Sequence, residues 1–272
     1  MKNGLSLSTH TLLSIQHERQ PQWLPRLMSF ISARNMPRHV GIIMDGNGRW
    51  AELRGEPRPA GHRAGSHAVR RIVRLSRRIG VEALTLYAFS FQNWQRPDDE
   101  VGALMTLLEE YLLTERREIL ENGIRLEAVG ELDRLPRPVR MVLDALREES
   151  THNDRMTLTL ALSYGGQEEI ARAARELAAE VAAGRMAPDE IDVCQLERRI
   201  PSLRVGNPDL IIRTGGETRL SNFLLFGSAY AELVFSEQLW PDFSEDDLFS
   251  AIASYQRRQR RFGLVLDEQC AE

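Results

Sequence analysis

The chain has 272 residues, 42% of them apolar and 27% charged, with a net charge of -4 at pH 7. This is an ordinary soluble composition, sized for one large domain or two small ones, and its charge argues against a nucleic-acid binder. No apolar run approaches the roughly 18 residues of a membrane span, and no signal-peptide pattern is present.

Cys194 and Cys270 stand far apart without a partner motif, so neither a disulfide framework nor a zinc site is expected and a reducing cytoplasm is the default. Lys2 is the only lysine among 35 basic residues. An arginine therefore carries information through its position alone.

Residues 1–36 read as a flexible peripheral extension. Leu12, Leu13, Trp23, Leu24 and Leu27 supply apolar groups, while Pro21 and Pro25 interrupt any long helix. A membrane-surface segment, a docking arm and a start codon placed too early (Met28 and Met36 both follow) all fit.

The stretch HVGIIMDGNGRW (39–50) follows. Val40 to Met44 is a short apolar run bounded by turn formers, the pattern of a buried strand. It ends on Asp45 and breaks into Gly46-Asn47-Gly48, with Arg49 and Trp50 next. That puts a carboxylate and exposed amide groups at a strand's carboxyl end, a place suited to a phosphate. A plain strand–turn–helix corner with a solvated Asp fits these residues equally.

From Arg49 to Arg96 ten arginines face only Glu52, Glu56 and Glu82, a local charge of +7. A helix is expected over about 66–79, with Arg58, Gly61, His62 and Gly65 in a glycine-rich entry before it. Arg70, Arg71, Arg74, Arg77 and Arg78 read as a solvated basic face. Arg58 and His62 read as anion contacts, although a purely structural His62 remains open.

Residues 83–88 predict a second buried strand, ending in a polar cluster from Ser90 to Arg96. Asp98, Asp99 and Glu100 follow Pro97 and open a helix to about 121. They read as a cap and first turn matched to the helix dipole, with a magnesium site as the other reading.

The alternation continues with a strand at 124–129, a helix at 137–149 and a strand at 156–162. A helix from Gly165-Gly166 to about 183 and a short one from Pro188 come next. Strands at 209–212 and 231–235 and a helix over about 245–261, stopped by Gly263, complete the chain. The pattern predicts an α/β fold, a single domain with a largely parallel central sheet flanked by helices.

The clusters at Asp45–Trp50, Arg58–His62, Ser90–Arg96 and Arg213–Ser221 are equipment for one or two diphosphates. There is no P-loop, no GxGxxG after a strand and no nucleophilic triad signature.

These residues also carry a resemblance. HVGIIMDGNGRW, GHRAG (61–65), LYAFSFQNWQRP (86–97), IIRTGGETRLSNFLL (211–225) and AYAELVFSEQLWPDF (229–243) resemble, in order, the motifs of the cis-prenyltransferases, among them bacterial undecaprenyl diphosphate synthase. The similarity runs from about Pro37 to Gly263, giving a catalytic domain over 37–264 and a tail over 265–272.

The resemblance implies a homodimer with an apolar tunnel, and Mg²⁺-dependent condensation of farnesyl diphosphate with isopentenyl diphosphate. The expected product is a long Z-polyprenyl diphosphate, the lipid-carrier precursor for cell-wall synthesis, delivered to the membrane. By position, Asp45 would hold Mg²⁺, with Gly46, Asn47, Gly48, Arg49 and Arg58 around the allylic diphosphate.

Trp50, His62, Ser90, Phe91, Gln92, Trp94 and Arg96 would line the same site. Asn93 would stand at the proton-acceptor position. Arg213, Arg219, Leu220 and Ser221 would hold isopentenyl diphosphate, and Glu232 would be a second metal ligand. Arg261 and Gly263 match a motif that completes a partner's site.

Gln92 departs from the family, which usually has Glu there; Gln keeps hydrogen-bonding reach but not the charge. The tunnel floor is expected near Met156. A shorter product, or a non-catalytic binding subunit, would keep the same motifs.

Overall fold

The short apolar runs become strands because a parallel strand covered on both faces has no solvent side on which to alternate. The computed structural model describes residues 31–32 and 35–258. Nearly all of the N-terminal extension, the C-terminal tail, Arg261 and Gly263 lie outside them.

In chain order the main elements are β1 (His39–Ile43), α1 (Asn47–Glu52), α2 (Arg58–Arg78), β2 (Ala83–Ser90) and α3 (Asp98–Glu121). Then come β3 (Ile124–Val129), α4 (Arg137–Glu149), β4 (Met156–Tyr164), α5 (Gly166–Ala182) and α6 (Val193–Glu197). The last are β5 (Leu210–Arg213), β6 (Glu232–Phe235) and α7 (Glu245–Arg257). Short 3₁₀ turns, including Phe91–Gln95 and Trp240–Asp242, fill several connections.

The six strands form one sheet in the order β3-β4-β2-β1-β5-β6, with every pairing parallel. From β1 the chain passes to β2, on to the edge strand β3 and back to β4 between them, then crosses to β5 and β6 on the other side. The loops leaving β1 and β5 therefore diverge beside each other, the place where doubly wound sheets open a crevice.

One face of the sheet carries the large core, where α2, α3, α4 and α7 pack on Ile42, Leu84, Leu86 and Leu158. The other face carries a smaller cluster around Tyr164, Phe223 and Leu224. Arg70 pairs with Glu115, Arg74 with Glu118, and Arg77 donates to Asn122 at 2.9 Å, closing the seam between α2 and α3. Those arginines therefore hold helices together, where the sequence suggests a solvated face.

The entry to α2 is also corrected. The helix starts at Arg58, not near residue 66, because Pro57 at the N-cap and Pro59 behind Arg58 suit a helix's first turn. Gly61 and Gly65 lie inside it, where a Cβ would fall 1.9 Å from the Asn47 carbonyl oxygen and 2.3 Å from Asn47 Oδ1. They are glycines of close helix contact, letting α2 press against α1. The predicted cap at Asp98 is Pro97 instead, with Asp98, Asp99 and Glu100 in the first turn. Helix α7 is described only to Arg257.

Candidate active site

The site is built where β1 and β5 end side by side, Ile43 opposite Arg213. The chain leaves β1 through Asp45 and turns into α1 at Gly46, whose φ of 108° only glycine adopts readily. Thr214 locks this corner. Its hydroxyl accepts the Asp45 N–H at 2.9 Å and donates to the Asp45 carbonyl at 2.7 Å.

Asp45 Oδ2 accepts from Arg213 Nη2 at 2.9 Å, and Arg49 Nη2 lies 3.3 Å from Oδ1. Arg213 is only 4% exposed, whereas the Asp45 side chain keeps 30% of its surface open. A buried cation thus presents a carboxylate to the crevice. Arg213 Nη1 donates to Ser221 Oγ at 2.6 Å and to the Arg219 carbonyl. Leu220 packs behind that loop, while the Arg219 side chain is exposed and pairs with Glu217.

Arg58 crosses α1 at Gly48, where a Cβ would sit 2.7 Å from its guanidinium carbon. Glu100 joins it to a second arginine, accepting from Arg96 Nη1 at 2.8 Å and lying 3.7 Å from Arg58 Nε. Arg58, Arg96 and His62 therefore meet through a residue that sequence reasoning set aside as part of a helix's acidic first turn. His62 is held neutral, its pKa lowered to about 4 first by burial and then by Arg96. Its Nε2 and Asn47 Oδ1 are both buried without a protein partner.

The turn after β2 is fastened from below. Trp94 Nε1 donates to Ser163 Oγ at 2.8 Å, and Arg134 stacks on Phe91 at 4.7 Å. Asn93 Oδ1 accepts the Ser90 N–H at 3.0 Å, closing a capping box. Gln92 is exposed. The amide oxygen of Asn93, expected as proton acceptor, is thus already engaged in holding its own turn.

Beneath these polar groups an apolar cleft runs between α2, α3, β2 and β4, from Asn47 and His62 down to Leu86 and Leu160. Met156 does not line it. It lies on the same face of β4, four residues or about 13 Å further down, 1% exposed in closed core.

Trp50 donates from Nε1 to Asp242 Oδ1 at 2.7 Å. Trp240 donates from its main chain to the Asp45 carbonyl and from its indole to the Gly65 carbonyl, both at 2.9 Å. These struts from segment 240–242 lie in a recognised motif, yet only their contacts reveal what they do.

Glu232 is not brought to Asp45. It opens β6 opposite Leu210, at the amino end of the sheet, and pairs with Arg258. Asp45 lies past the carboxyl end of β1, so the two cannot share an ion within one chain. Among the described residues no three His, Cys, Asp or Glu side chains gather as a metal site. A lone carboxylate beside a diphosphate does suit Mg²⁺, which keeps water and substrate phosphate as its other ligands. Among the described residues, no helix is long and apolar enough to cross a membrane.

The comparisons identify the family. A family model described as "Putative undecaprenyl diphosphate synthase" matches residues 43–263. An isoprenyl transferase of Chlorobaculum tepidum is 47% identical over 233 residues, 86% of this chain and 88% of that one. A ditrans,polycis-undecaprenyl-diphosphate synthase, (2E,6E)-farnesyl-diphosphate specific, of Xanthomonas axonopodis is 48% identical over 241 residues, 89% of this chain and 93% of that one.

Among solved structures, lavandulyl diphosphate synthase of Lavandula x intermedia, in complex with dimethylallyl diphosphate, aligns with a TM-score of 0.82 at 38% identity. It covers 84% of this chain and 98% of its own. A probable undecaprenyl diphosphate synthase of Campylobacter jejuni aligns at 0.70 and 30% identity over 84% of this chain and 99% of its own. With its parallel sheet, its arginine-held aspartate and a family match across most of its length, this chain belongs to the cis-prenyltransferases, the enzymes that extend prenyl chains.

Proposed function

We propose that the enzyme condenses farnesyl diphosphate with successive isopentenyl diphosphates to a long Z-polyprenyl diphosphate, undecaprenyl diphosphate, the lipid-carrier precursor for cell-wall synthesis. The observation that carries this reading is a polar crevice, lined by Asp45, Arg49, Arg58, Arg96 and Arg213, standing at the mouth of an apolar cleft. One end suits diphosphates and the other a growing hydrocarbon. The farnesyl-specific relative supports the choice of starter.

In this reading Gly46 to Arg49, Arg58 and Arg96 bind the allylic diphosphate, with Trp50, His62, Ser90, Phe91, Gln92 and Trp94 around it. Arginines fixed by Glu100 need no reorganisation as negative charge grows on the departing oxygen. Arg213, Arg219, Leu220 and Ser221 hold isopentenyl diphosphate beside it. Mg²⁺ held by Asp45 and diphosphate oxygens would add Lewis-acid stabilisation of the leaving group.

Asn93 shapes its turn and meets the substrate, while a diphosphate oxygen takes the proton, since a neutral amide is a poor base and its oxygen is occupied. Elongation stops when the hydrocarbon reaches the foot of the cleft, where Leu86 and Leu160 border the closed core.

The product enters the membrane from an enzyme at its surface. A homodimer is the assembly, consistent with exposed Phe235 on the edge strand β6. Incubation with Mg²⁺, farnesyl diphosphate and labelled isopentenyl diphosphate, followed by product sizing, tests the reading. A ladder ending near eleven units is expected. A short product would instead favour chemistry nearer the lavandulyl relative, and no condensation would refute the assignment.

A further inference from the structure

The loop that carries Ser221 is conformationally unusual. Ser221, Asn222 and Leu224 have φ values of 48°, 66° and 45°, three non-glycine residues in the left-handed region within four positions. Each such residue is strained and stays there only where its surroundings hold it. Asparagine tolerates the region best, serine less well and leucine poorly.

Asn222 is what ties this loop to the rest of the molecule. Its carbonyl accepts the Gly166 N–H at 2.8 Å and its Oδ1 accepts the Gln167 N–H at 2.8 Å. Its Nδ2 donates to Glu168 Oε2 at 2.8 Å. The N-cap of α5, Gly165, has no side chain, so Asn222 supplies the missing cap from 55 residues away. The platform beneath is rigid, because buried Glu169 accepts from Tyr164 Oη, the Ser202 N–H and Ser202 Oγ. Phe223 stacks on Tyr87 at 4.7 Å on the loop's other side.

We propose that Asn222 is a positioning residue for the isopentenyl diphosphate site. By capping α5 from a distance, it holds the left-handed turn that aims Ser221 at Arg213 and lays the Arg219 carbonyl on the same guanidinium. The inference rests on the reading of Arg213, Arg219 and Ser221 as that substrate's site. A cap elsewhere in the fold would affect stability alone. This one lies next in the chain to a substrate ligand, so its loss disturbs one substrate and spares the other.

The test is a two-substrate kinetic series on the full chain with Mg²⁺. Asn222→Gly keeps the φ of 66° accessible and removes only the side-chain bonds. It should raise KM for isopentenyl diphosphate about tenfold while KM for farnesyl diphosphate stays within about twofold. Glu168→Ala, outside the site, should raise the same KM less, and Glu168→Gln, which keeps an acceptor for Nδ2, should restore it.

Ser221→Ala is the control for the underlying reading. If Ser221→Ala leaves KM for isopentenyl diphosphate unchanged, the site assignment fails and the proposal with it. If Ser221→Ala raises it but Asn222→Gly and Glu168→Ala do not, or both substrates weaken equally, the positioning role alone is refuted. Should Asn222→Gly not fold, Glu168→Ala and Glu168→Gln still decide the matter.

Discussion

Replacing Asp45 separates its structural from its chemical contribution. In the folded protein the carboxylate accepts from Arg213 Nη2 at 2.9 Å, and that arginine is 4% exposed. Asp45→Ala leaves Nη2 without this partner, although Nη1 keeps Ser221 and the Arg219 carbonyl. Losing one charge-assisted bond to a partly exposed carboxylate costs about 1–3 kcal/mol, or roughly 2–4 °C of melting temperature per kcal/mol in a chain of this size.

The chemical loss is larger. Removing a metal-supported charge beside the leaving group costs about 4 kcal/mol or more in the transition state, roughly a 10³-fold fall in kcat. Asp45→Asn keeps an acceptor for Arg213 but not the charge, so it should recover much of the melting temperature and little of the turnover. The assay is kcat at saturating Mg²⁺ and both substrates, beside a thermal melt. Either variant retaining a tenth of wild-type kcat would refute the assignment of Asp45.

Arg219→Ala should raise KM for isopentenyl diphosphate by roughly 10-fold or more without a matching change for farnesyl diphosphate, because one diphosphate loses a bond worth about 1.5–3 kcal/mol. Steady-state kinetics varying each substrate in turn checks this, and equal weakening of both means the two sites are wrongly divided.

Leu160→Ala, in the lining of the cleft, should lengthen the products, with first-condensation kinetics unchanged, since each unit admitted to the deepened cleft recovers about 0.8 kcal/mol per buried CH₂. A product ladder identical to wild type from a stable variant would place the stop elsewhere.

Acid should destabilise the fold through His62, held by burial at a pKa of about 4, and His39, lowered by its burial. The unfolded chain binds those protons from about pH 6.5 downward, so stability is full above that and falls as pH drops towards the folded values, by about 2 kcal/mol from His62 between pH 7 and 5. Urea midpoints for wild type and His62→Gln across that range check the slope. An unchanged slope in the variant shows that the slope does not come from His62.

The sequence by itself determined the alternation of strands and helices, because buried parallel strands are short apolar runs between turn formers. It also determined the family and named the side chains proposed to bind diphosphates, because those lie in contiguous motifs at strand ends.

Tertiary structure decided what depends on contacts between distant segments. The placement of Gly61 and Gly65 inside α2 follows from how closely that helix must approach Asn47, and residue type could not distinguish it from a glycine-rich loop. Glu100 looked like dipole matching until α3 packed against α2 and carried it to Arg58 and Arg96. The capping role of Asn93 appeared only once the turn brought its oxygen to the Ser90 N–H. Glu232 moved away from Asp45 because strand register puts it at the sheet's amino end. Sequence carries side-chain chemistry and local periodicity, but register, packing distance and the partner of a given hydrogen bond exist only once the sheet is assembled.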